Sequence, residues 1–109
     1  MDQSERGKRF EELHRGAAFV IPNPWDAGTA RVLEALGFEA LATTSSGFAF
    51  SLGRPDGAAQ EDEVIEHVRR LTAATELPVS VDLENGYGAA PEQAARAIEA
   101  VAAVGAVGG

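Results

Sequence analysis

The sequence predicts an α/β fold in which short buried strands alternate with helices. Continuous apolar runs without polar alternation are typical of parallel strands that are covered on both faces. Three such runs occur, at residues 19–22, 40–44 and 79–83. A helical pattern follows each run, which indicates right-handed βαβ units and a parallel sheet. Together with an N-terminal helix and the start of a fourth strand near residues 105–109, these three units predict part of a (β/α)8 TIM barrel.

Four helices are predicted from the spacing of apolar residues and from residues that favour helix ends. The opening helix ends near Gly16, where a left-handed residue would terminate it. Asp26 is the expected cap of the second helix, the acidic residues 61–63 begin the third, and Pro91 occupies the first turn of the fourth. The predicted buried stripes of the last three helices are Ala30, Leu33 and Leu36; Val64, Val68 and Leu71; and Ile98, Val101 and Val104.

Size, charge and composition limit the classes of protein to which the chain can belong. Its 109 residues can supply one domain at most. With 17 Asp and Glu against 9 Lys and Arg, the net charge is −8, which disfavours nucleic acid and anionic membrane surfaces as partners. The absence of cysteine excludes disulfides and thiolate metal sites. No apolar run approaches the roughly 18 residues of a membrane span, and we expect a cytoplasmic protein.

Polar residues follow the three predicted strands, at the edge of the sheet where βα proteins bind their ligands. These clusters cover residues 23–26, 43–47 and 82–85. The second cluster leads into a Ser- and Gly-rich segment, residues 45–57, which is predicted to be a loop. The backbone N–H groups of residues 45–47 can approach a carboxylate or a phosphate, but a simple flexible loop explains the same composition equally well.

The third cluster contains two carboxylates that alternate about Leu83. On an extended strand end, Asp82 and Glu84 would point to one side with their Cα atoms roughly 7 Å apart. Two acids that converge in a site of low dielectric repel each other unless one is protonated or a cation lies between them, and oxygen ligands suit Mg²⁺ or Mn²⁺. Capping of the turn or salt bridges at a solvated strand end would explain the same pair without a metal.

Several other residues have a structural explanation that the sequence favours over a functional one. Asp56 lies in a Pro-Asp-Gly context that is typical of a turn. His14 and His67 fall on predicted helices, where surface or packing positions are expected. Trp25 and Tyr87 are expected to pack at the rim of the barrel rather than to contact a substrate. No catalytic acid or base is identified among the 109 residues.

Four segments taken together resemble the isocitrate lyase/phosphoenolpyruvate mutase superfamily in motif, order and spacing. The segments are N-P-W-D-A-G-T-A-R at 23–31, G-F-E-A-L-A-T-T-S-S-G at 37–47, L-G-R-P-D-G at 52–57 and V-D-L-E-N-G-Y-G at 81–88. The resemblance extends from about residue 9 to the end. It implies that residues 1–109 are the N-terminal part of a single (β/α)8-barrel domain whose C-terminal part is absent from this sequence.

The resemblance also assigns roles to particular residues. Asp82 corresponds to a direct magnesium ligand, with Glu84 and Asp56 in contact with the metal through water. The backbone amides of Ser46, Gly47 and Phe48 correspond to those that bind the carboxylate of a keto acid. Two departures bear on these assignments: Glu84 and Asn85 stand where Asp and Thr are usual, and the family's I-E-D and K-[KR]-C-G-H segments have no counterpart within the 109 residues.

The function implied by the resemblance is that of a lyase or mutase, which makes or breaks a C–C or P–C bond beside an α-keto carboxylate through an enolate. Magnesium, or manganese, would stabilise the developing charge. A small keto acid is the expected partner, and the parent protein is expected to be a homo-oligomer. The alternative is a truncated, catalytically inactive half-barrel that associates with itself through helix faces left uncovered.

Overall fold

The computed structural model describes all 109 residues and confirms an α/β fold with a parallel sheet. Five helices and two short strands follow one another along the chain. They are α1 (Gln3–Leu13), α2 (Ala27–Ala35), β1 (Leu41–Ala42), α3 (Ser45–Ser51), α4 (Glu61–Ala74), β2 (Val79–Ser80) and α5 (Pro91–Ala103). No helix combines the length and the apolar composition that a membrane crossing needs.

Strands β1 and β2 form the centre of four extended segments that lie side by side in chain order. Leu41 pairs with Val79 and Ala42 with Ser80, both in parallel register. On the outer side of β1, the Ala42 N–H donates to the carbonyl of Pro22 at 3.1 Å. On the outer side of β2, Ser80 forms a parallel bridge with Gly108. The predicted first and fourth strands therefore occupy the expected positions but are held by only a few hydrogen bonds.

Helices cover one face of the sheet, and residues 1–109 do not supply the cover of the other face. The first predicted strand, residues 19–22, has no regular strand structure, and Val20 is 67% exposed. Pro22 lacks the N–H group that would extend a ladder, and the segment lies at an edge of the sheet. In the two central strands, one face is buried under helices while the alternate residues Ala42 and Ser80 are only partly buried.

The buried face of the sheet carries the hydrophobic core. One cluster joins α4 and α5 to the end of β2, and a second joins α2 and α4 to the sheet itself. The members are Val64, Val68, Val81, Leu83, Ala97, Val101 and Ala106 in the first, and Ala30, Leu41, Leu71 and Val79 in the second. The predicted stripe of α4 is confirmed, whereas Leu36 and Ile98 are 70% and 43% exposed, contrary to prediction.

Residues 45–51 form helix α3, which corrects the prediction of a loop. Thr44 caps this helix because its Oγ1 accepts a hydrogen bond from the Gly47 N–H at 3.2 Å. A side chain at Gly47 would overlap the indole of Trp25, so the helix and the loop after the first extended segment approach each other as closely as glycine permits. The composition of the segment suggested a loop, but the cap and the buried Ala49 decide its structure.

Helix α1 has no buried residue and is held across the carboxyl ends of α4 and α5 by polar contacts. The Gln3 side-chain amide donates to the carbonyls of Ala102 and Ala106, at 2.6 and 2.8 Å. Arg6 donates to the carbonyl of Thr72 at 3.1 Å. The Thr72 carbonyl lies in the last turn of α4, the Ala102 carbonyl lies at the end of α5 and also accepts the Gly105 N–H, and the Ala106 carbonyl follows α5. Helix α1 therefore joins the ends of two helices.

We predict that Gln3→Ala lowers the free energy of unfolding by about 1 kcal/mol, because two hydrogen bonds to the carbonyls of Ala102 and Ala106 are replaced by contacts with water. Urea denaturation followed by circular dichroism measures this difference. Lys8→Ala is the matched control, since Lys8 lies exposed on the same helix. Equal stability of the two variants would contradict the role of Gln3 in joining α1 to the end of α5.

Candidate functional site

The loops that follow β1 and β2 are joined by two hydrogen bonds at the carboxyl edge of the sheet. The Asp82 N–H donates to Oγ1 of Thr43 at 2.9 Å. In the opposite direction, the Ser45 N–H donates to Oδ2 of Asp82 at 3.0 Å. The prediction that these two polar clusters lie close together is confirmed. We call this pair of bonds the strand-end cross-link.

Asp82 is ionised in the folded chain. Its partial burial alone would raise the pKa of the carboxyl group, but hydrogen bonds from the backbone N–H groups of Glu84 and Ser45 outweigh burial and lower the pKa. The Glu84 N–H donates to Oδ1 at 3.0 Å, so each oxygen of Asp82 accepts one backbone hydrogen bond. A carboxylate held in this way has a fixed orientation and retains lone pairs for a ligand.

Glu84 does not continue the extended strand, which corrects the predicted geometry of the Asp82-Leu83-Glu84 segment. Its φ angle is 54°, in the left-handed region, and the Gly86 N–H closes a turn by donating to the carbonyl of Leu83 at 2.9 Å. Gly86 cannot be replaced without overlap, because a side chain there would meet Ala94 of α5. The direction of the Glu84 side chain is therefore set by the backbone conformation of the turn and not by the alternation of side chains along a strand.

A cavity of about 610 Å³ lies between this turn and the start of α4. Its lining contains two carboxylates, Glu61 and Glu84, and no basic side chain. The lining residues are Gly57, Ala59, Gln60, Glu61, Glu84, Asn85 and Tyr87. The cavity is polar and strongly biased towards negative charge.

The hydroxyl group of Tyr87 lies close to several carboxylates of this region. It is buried and has no hydrogen-bond partner. Burial raises the pKa of Tyr87, and the nearby carboxylates of Glu84, Asp82 and Glu61 raise it further. Three carboxylates thus lie close enough to this buried hydroxyl group to raise its pKa. The sequence identified Tyr87 only as a packing aromatic.

The three predicted metal ligands are not gathered around one point. Asp82 and Glu84 both lie near Tyr87, but of the three only Glu84 lines the cavity. Asp56 is exposed in the turn before Gly57. No three His, Asp or Glu side chains in the structure lie in an arrangement that could hold a metal ion. The assignment of Asp82, Glu84 and Asp56 to a metal therefore stays a prediction.

The predicted carboxylate-binding amides lie in the first turn of α3. Gly47 and Phe48 already donate their N–H groups to Thr44, to Oγ1 and to the backbone carbonyl respectively. The Ser46 N–H has no acceptor within the chain. Trp25 packs against Gly47 and meets the ring of Phe50 edge to face at 6.1 Å. The role of Ser46, Gly47 and Phe48 in binding a substrate also stays a prediction.

His67 is a residue whose environment the sequence describes only as surface or packing. It is 7% exposed, and its ring stacks on that of Phe48 with a centroid separation of 4.0 Å and an angle of 14°. Its Nε2 atom is buried without a partner. Burial lowers the pKa of His67 to about 4, which the Asp26 carboxylate partly opposes and Arg70 reinforces. The spacing of His67 from Val64 and Leu71 could have placed it on the buried stripe of α4.

Because His67 is neutral in the folded chain, we predict that acidification lowers the free energy of unfolding. In the unfolded chain the imidazole of His67 has its ordinary pKa of 6.5, whereas in the folded chain its pKa is about 4. The contribution of neutral His67 to the free energy of unfolding is therefore fully present above about pH 6.5 and is lost as the pH falls towards 4. We expect a loss of about 2 kcal/mol, which is less than the full equivalent of the pKa difference because the surroundings of the protonated ring can relax.

Urea denaturation of the wild type and of His67→Phe across this range measures the effect, and only the difference between the two proteins is assigned to His67. This difference removes the contributions of the other charged groups around the ring, which are Asp26, Asp62, Glu63, Glu66 and Arg70. An identical pH dependence in both proteins would contradict a buried neutral imidazole.

Known proteins with similar sequences include bacterial lyases. The 2-methylisocitrate lyase of Halalkalibacterium halodurans is 38% identical over 88 residues, which make up 79% of this chain and 29% of that enzyme. An uncharacterised protein of Mycobacterium tuberculosis is 39% identical over 84 residues, which make up 76% of this chain and 33% of that protein. The chain thus spans about a third of the length of the curated relatives that it matches.

Solved structures share the backbone as well as the sequence. A protein of Burkholderia cenocepacia J2315, described as a candidate lyase or mutase, is 56% identical and has a TM-score of 0.95, over 97% of this chain and 39% of that one. The structure of a 2,3-dimethylmalate lyase is 27% identical to this chain and has a TM-score of 0.80, over 96% of this chain and 37% of that one. The sequence profile of phosphoenolpyruvate phosphomutase matches residues 10–109. The chain therefore belongs to the phosphoenolpyruvate phosphomutase family, within the superfamily that its motifs indicate.

Proposed function

We propose that this chain binds a small α-keto carboxylate and supports the magnesium-dependent making or breaking of a C–C or P–C bond through an enolate. The observation that carries the proposal is the ionised Asp82 carboxylate, which accepts hydrogen bonds from the Ser45 and Glu84 N–H groups and lies two residues before Glu84, a lining residue of the negatively charged cavity. A fixed carboxylate in a field without basic side chains favours the binding of a cation.

The names of the relatives support the reaction class. Similar chains are named 2-methylisocitrate lyase, 2,3-dimethylmalate lyase and phosphoenolpyruvate phosphomutase, all enzymes of small carboxylates. An oxaloacetate acetylhydrolase that is 28% identical, with a TM-score of 0.83, was solved with oxalate as its product. Oxalate is planar and carries two adjacent carboxylates, which makes it a suitable probe for a site that binds an enolate of a keto acid.

The donor chemistry of the site suits Mg²⁺ or Mn²⁺. Asp82 and Glu84 supply only carboxylate oxygens, and the chain has no cysteine that would favour a softer metal. We propose Asp82 as the direct ligand, with Glu84 and Asp56 acting through water. A bound Mg²⁺ would supply Lewis-acid stabilisation of the charge that develops on an enolate oxygen.

The amides of Ser46, Gly47 and Phe48 are proposed to bind the substrate carboxylate. The free N–H group of Ser46 and the direct link between Ser45 and Asp82 support this placement, since both lie at the carboxyl edge of the sheet. The partly exposed aromatic rings of Trp25 and Phe50 form an apolar wall beside α3. Such a wall would limit access of water to a ligand held there.

We further propose that residues 1–109 correspond to the N-terminal part of a single (β/α)8-barrel domain, as the share of the relatives' length supports. A cytoplasmic homo-oligomer with no nucleic-acid or membrane partner is consistent with the net charge of −8. The complete activity belongs to a protein that supplies a catalytic acid or base.

The test is calorimetric titration of Mg²⁺ and then of oxalate. We predict that Asp82→Asn weakens Mg²⁺ binding at least tenfold and abolishes the magnesium dependence of oxalate binding, because the variant removes the charge at the proposed direct ligand. Glu99→Gln is the control, since Glu99 is exposed on α5 and its replacement changes the net charge equally. Unchanged Mg²⁺ and oxalate binding in Asp82→Asn would overturn the proposal.

A second candidate is a non-catalytic unit that associates with itself. The exposure of Val20, Val32 and Leu36, together with a sheet that helices cover on one face, favours this alternative. Light scattering, which measures the oligomeric state, combined with the same titrations of Mg²⁺ and oxalate distinguishes the two candidate functions. A dimer or larger assembly that binds neither ligand supports self-association, and a species that binds Mg²⁺ and oxalate supports the keto-acid site.

A further inference from the structure

The contact between α3 and α4 depends on two aromatic rings. His67 of α4 and Phe48 of α3 are nearly parallel, at 14°, with their centroids 4.0 Å apart. Phe48 also packs against the core cluster that contains Val64 and Val68. The Phe48 ring is therefore held between the core and the imidazole, and movement of α3 relative to α4 would separate the stacked rings.

The ring of His67 contributes packing to this contact. The His67 side chain is more than nine-tenths buried, yet Nε2 has no hydrogen-bond partner. An apolar residue at this position would avoid the cost of burying an unpaired nitrogen. What the imidazole supplies in return is a flat ring that matches the face of Phe48, which an aliphatic side chain cannot do.

Helix α3 carries the proposed carboxylate-binding amides in its first turn. The Phe48 N–H donates to the carbonyl of Thr44, so the position of Phe48 is coupled directly to the helix cap. At the same turn, Ser45 is joined to Asp82 through the strand-end cross-link. One end of α3 is thus fixed by Asp82, and its middle is fixed by the stacked rings.

We propose that His67 is a positioning residue, whose stacking on Phe48 holds the first turn of α3 in the orientation that binds the carboxylate of the substrate. This inference rests on the proposed function. His67 touches neither the cavity beside Glu84 nor the free Ser46 amide, so it acts through Phe48. A ring is required at position 67, and the nitrogen atoms are not.

Trp25 offers a readout of α3 that needs no ligand. It is the one tryptophan of the chain, and it packs directly on Gly47. Loss of the stacked rings should let α3 shift and raise the quenching of Trp25 fluorescence by acrylamide. We expect His67→Ala to show this increase and to weaken oxalate binding in the presence of Mg²⁺ about tenfold.

Two further variants separate positioning from general stability. Val101→Ala removes a buried side chain of the same core cluster from α5 and should lower stability without changing Trp25 quenching or oxalate affinity. His67→Phe keeps a flat ring and should restore both to the wild-type values. The proposal is overturned if His67→Ala behaves like Val101→Ala, or if His67→Phe fails to restore both properties.

The two proposals fail in different ways. Absence of oxalate binding by the wild type overturns the proposed function and, with it, the role of His67 in ligand binding. The quenching of Trp25 still decides whether the stacked rings hold α3, because that measurement requires no ligand.

Discussion

The arrangement of the carboxyl edge depends on the strand-end cross-link between the segments that follow β1 and β2. Asp82 donates its N–H to Thr43 and accepts the Ser45 N–H with its side chain, while its other oxygen accepts the Glu84 N–H. One residue therefore sets the start of α3, the end of the β2 segment and the entry to the following turn.

The two faces of the sheet explain why polar residues collect where they do. Leu41, Val79 and Val81 alternate onto the face that the helices cover, and all three are buried. Their neighbours Ala42, Ser80 and Asp82 point the other way and are small or polar. The same alternation that builds the core thus presents Asp82 on the accessible face. The fold and the candidate site follow from one pattern of side-chain alternation.

Local signals in the sequence predicted the starts of three helices because they act within a few residues, whereas the strands are shorter than predicted. Asp26 caps α2 by accepting the Thr29 N–H at 2.7 Å, and Pro91 begins α5, as expected. Helix α3 was missed because Ser and Gly composition favoured a loop, while the burial of Ala49 and the contacts of Trp25 with Gly47 and of His67 with Phe48 come from distant parts of the chain. Exposure of Leu36 and Ile98 likewise depends on which elements are neighbours.

The sequence predicted those features of the candidate site that follow from the topology of the sheet. The closeness of Asp82 to residues 43–47 follows from parallel topology, which the sequence indicates. The left-handed Glu84 and the buried hydroxyl of Tyr87 depend on a turn whose conformation, at φ angles of 54° and 64°, the sequence does not specify for residues other than glycine. The motifs place these residues in a family, and the structure supplies their local geometry.

The central claim is that Asp82 organises the carboxyl edge through the backbone hydrogen bonds of Ser45 and Glu84. Amide hydrogen exchange measured by NMR tests it directly. We predict that the Ser45 and Glu84 amides are protected in the wild type and lose protection in Asp82→Ala, while the Leu41 amide, bonded to Pro78 within the sheet, keeps its protection. Exchange of Ser45 and Glu84 at unprotected rates in the wild type would contradict the account.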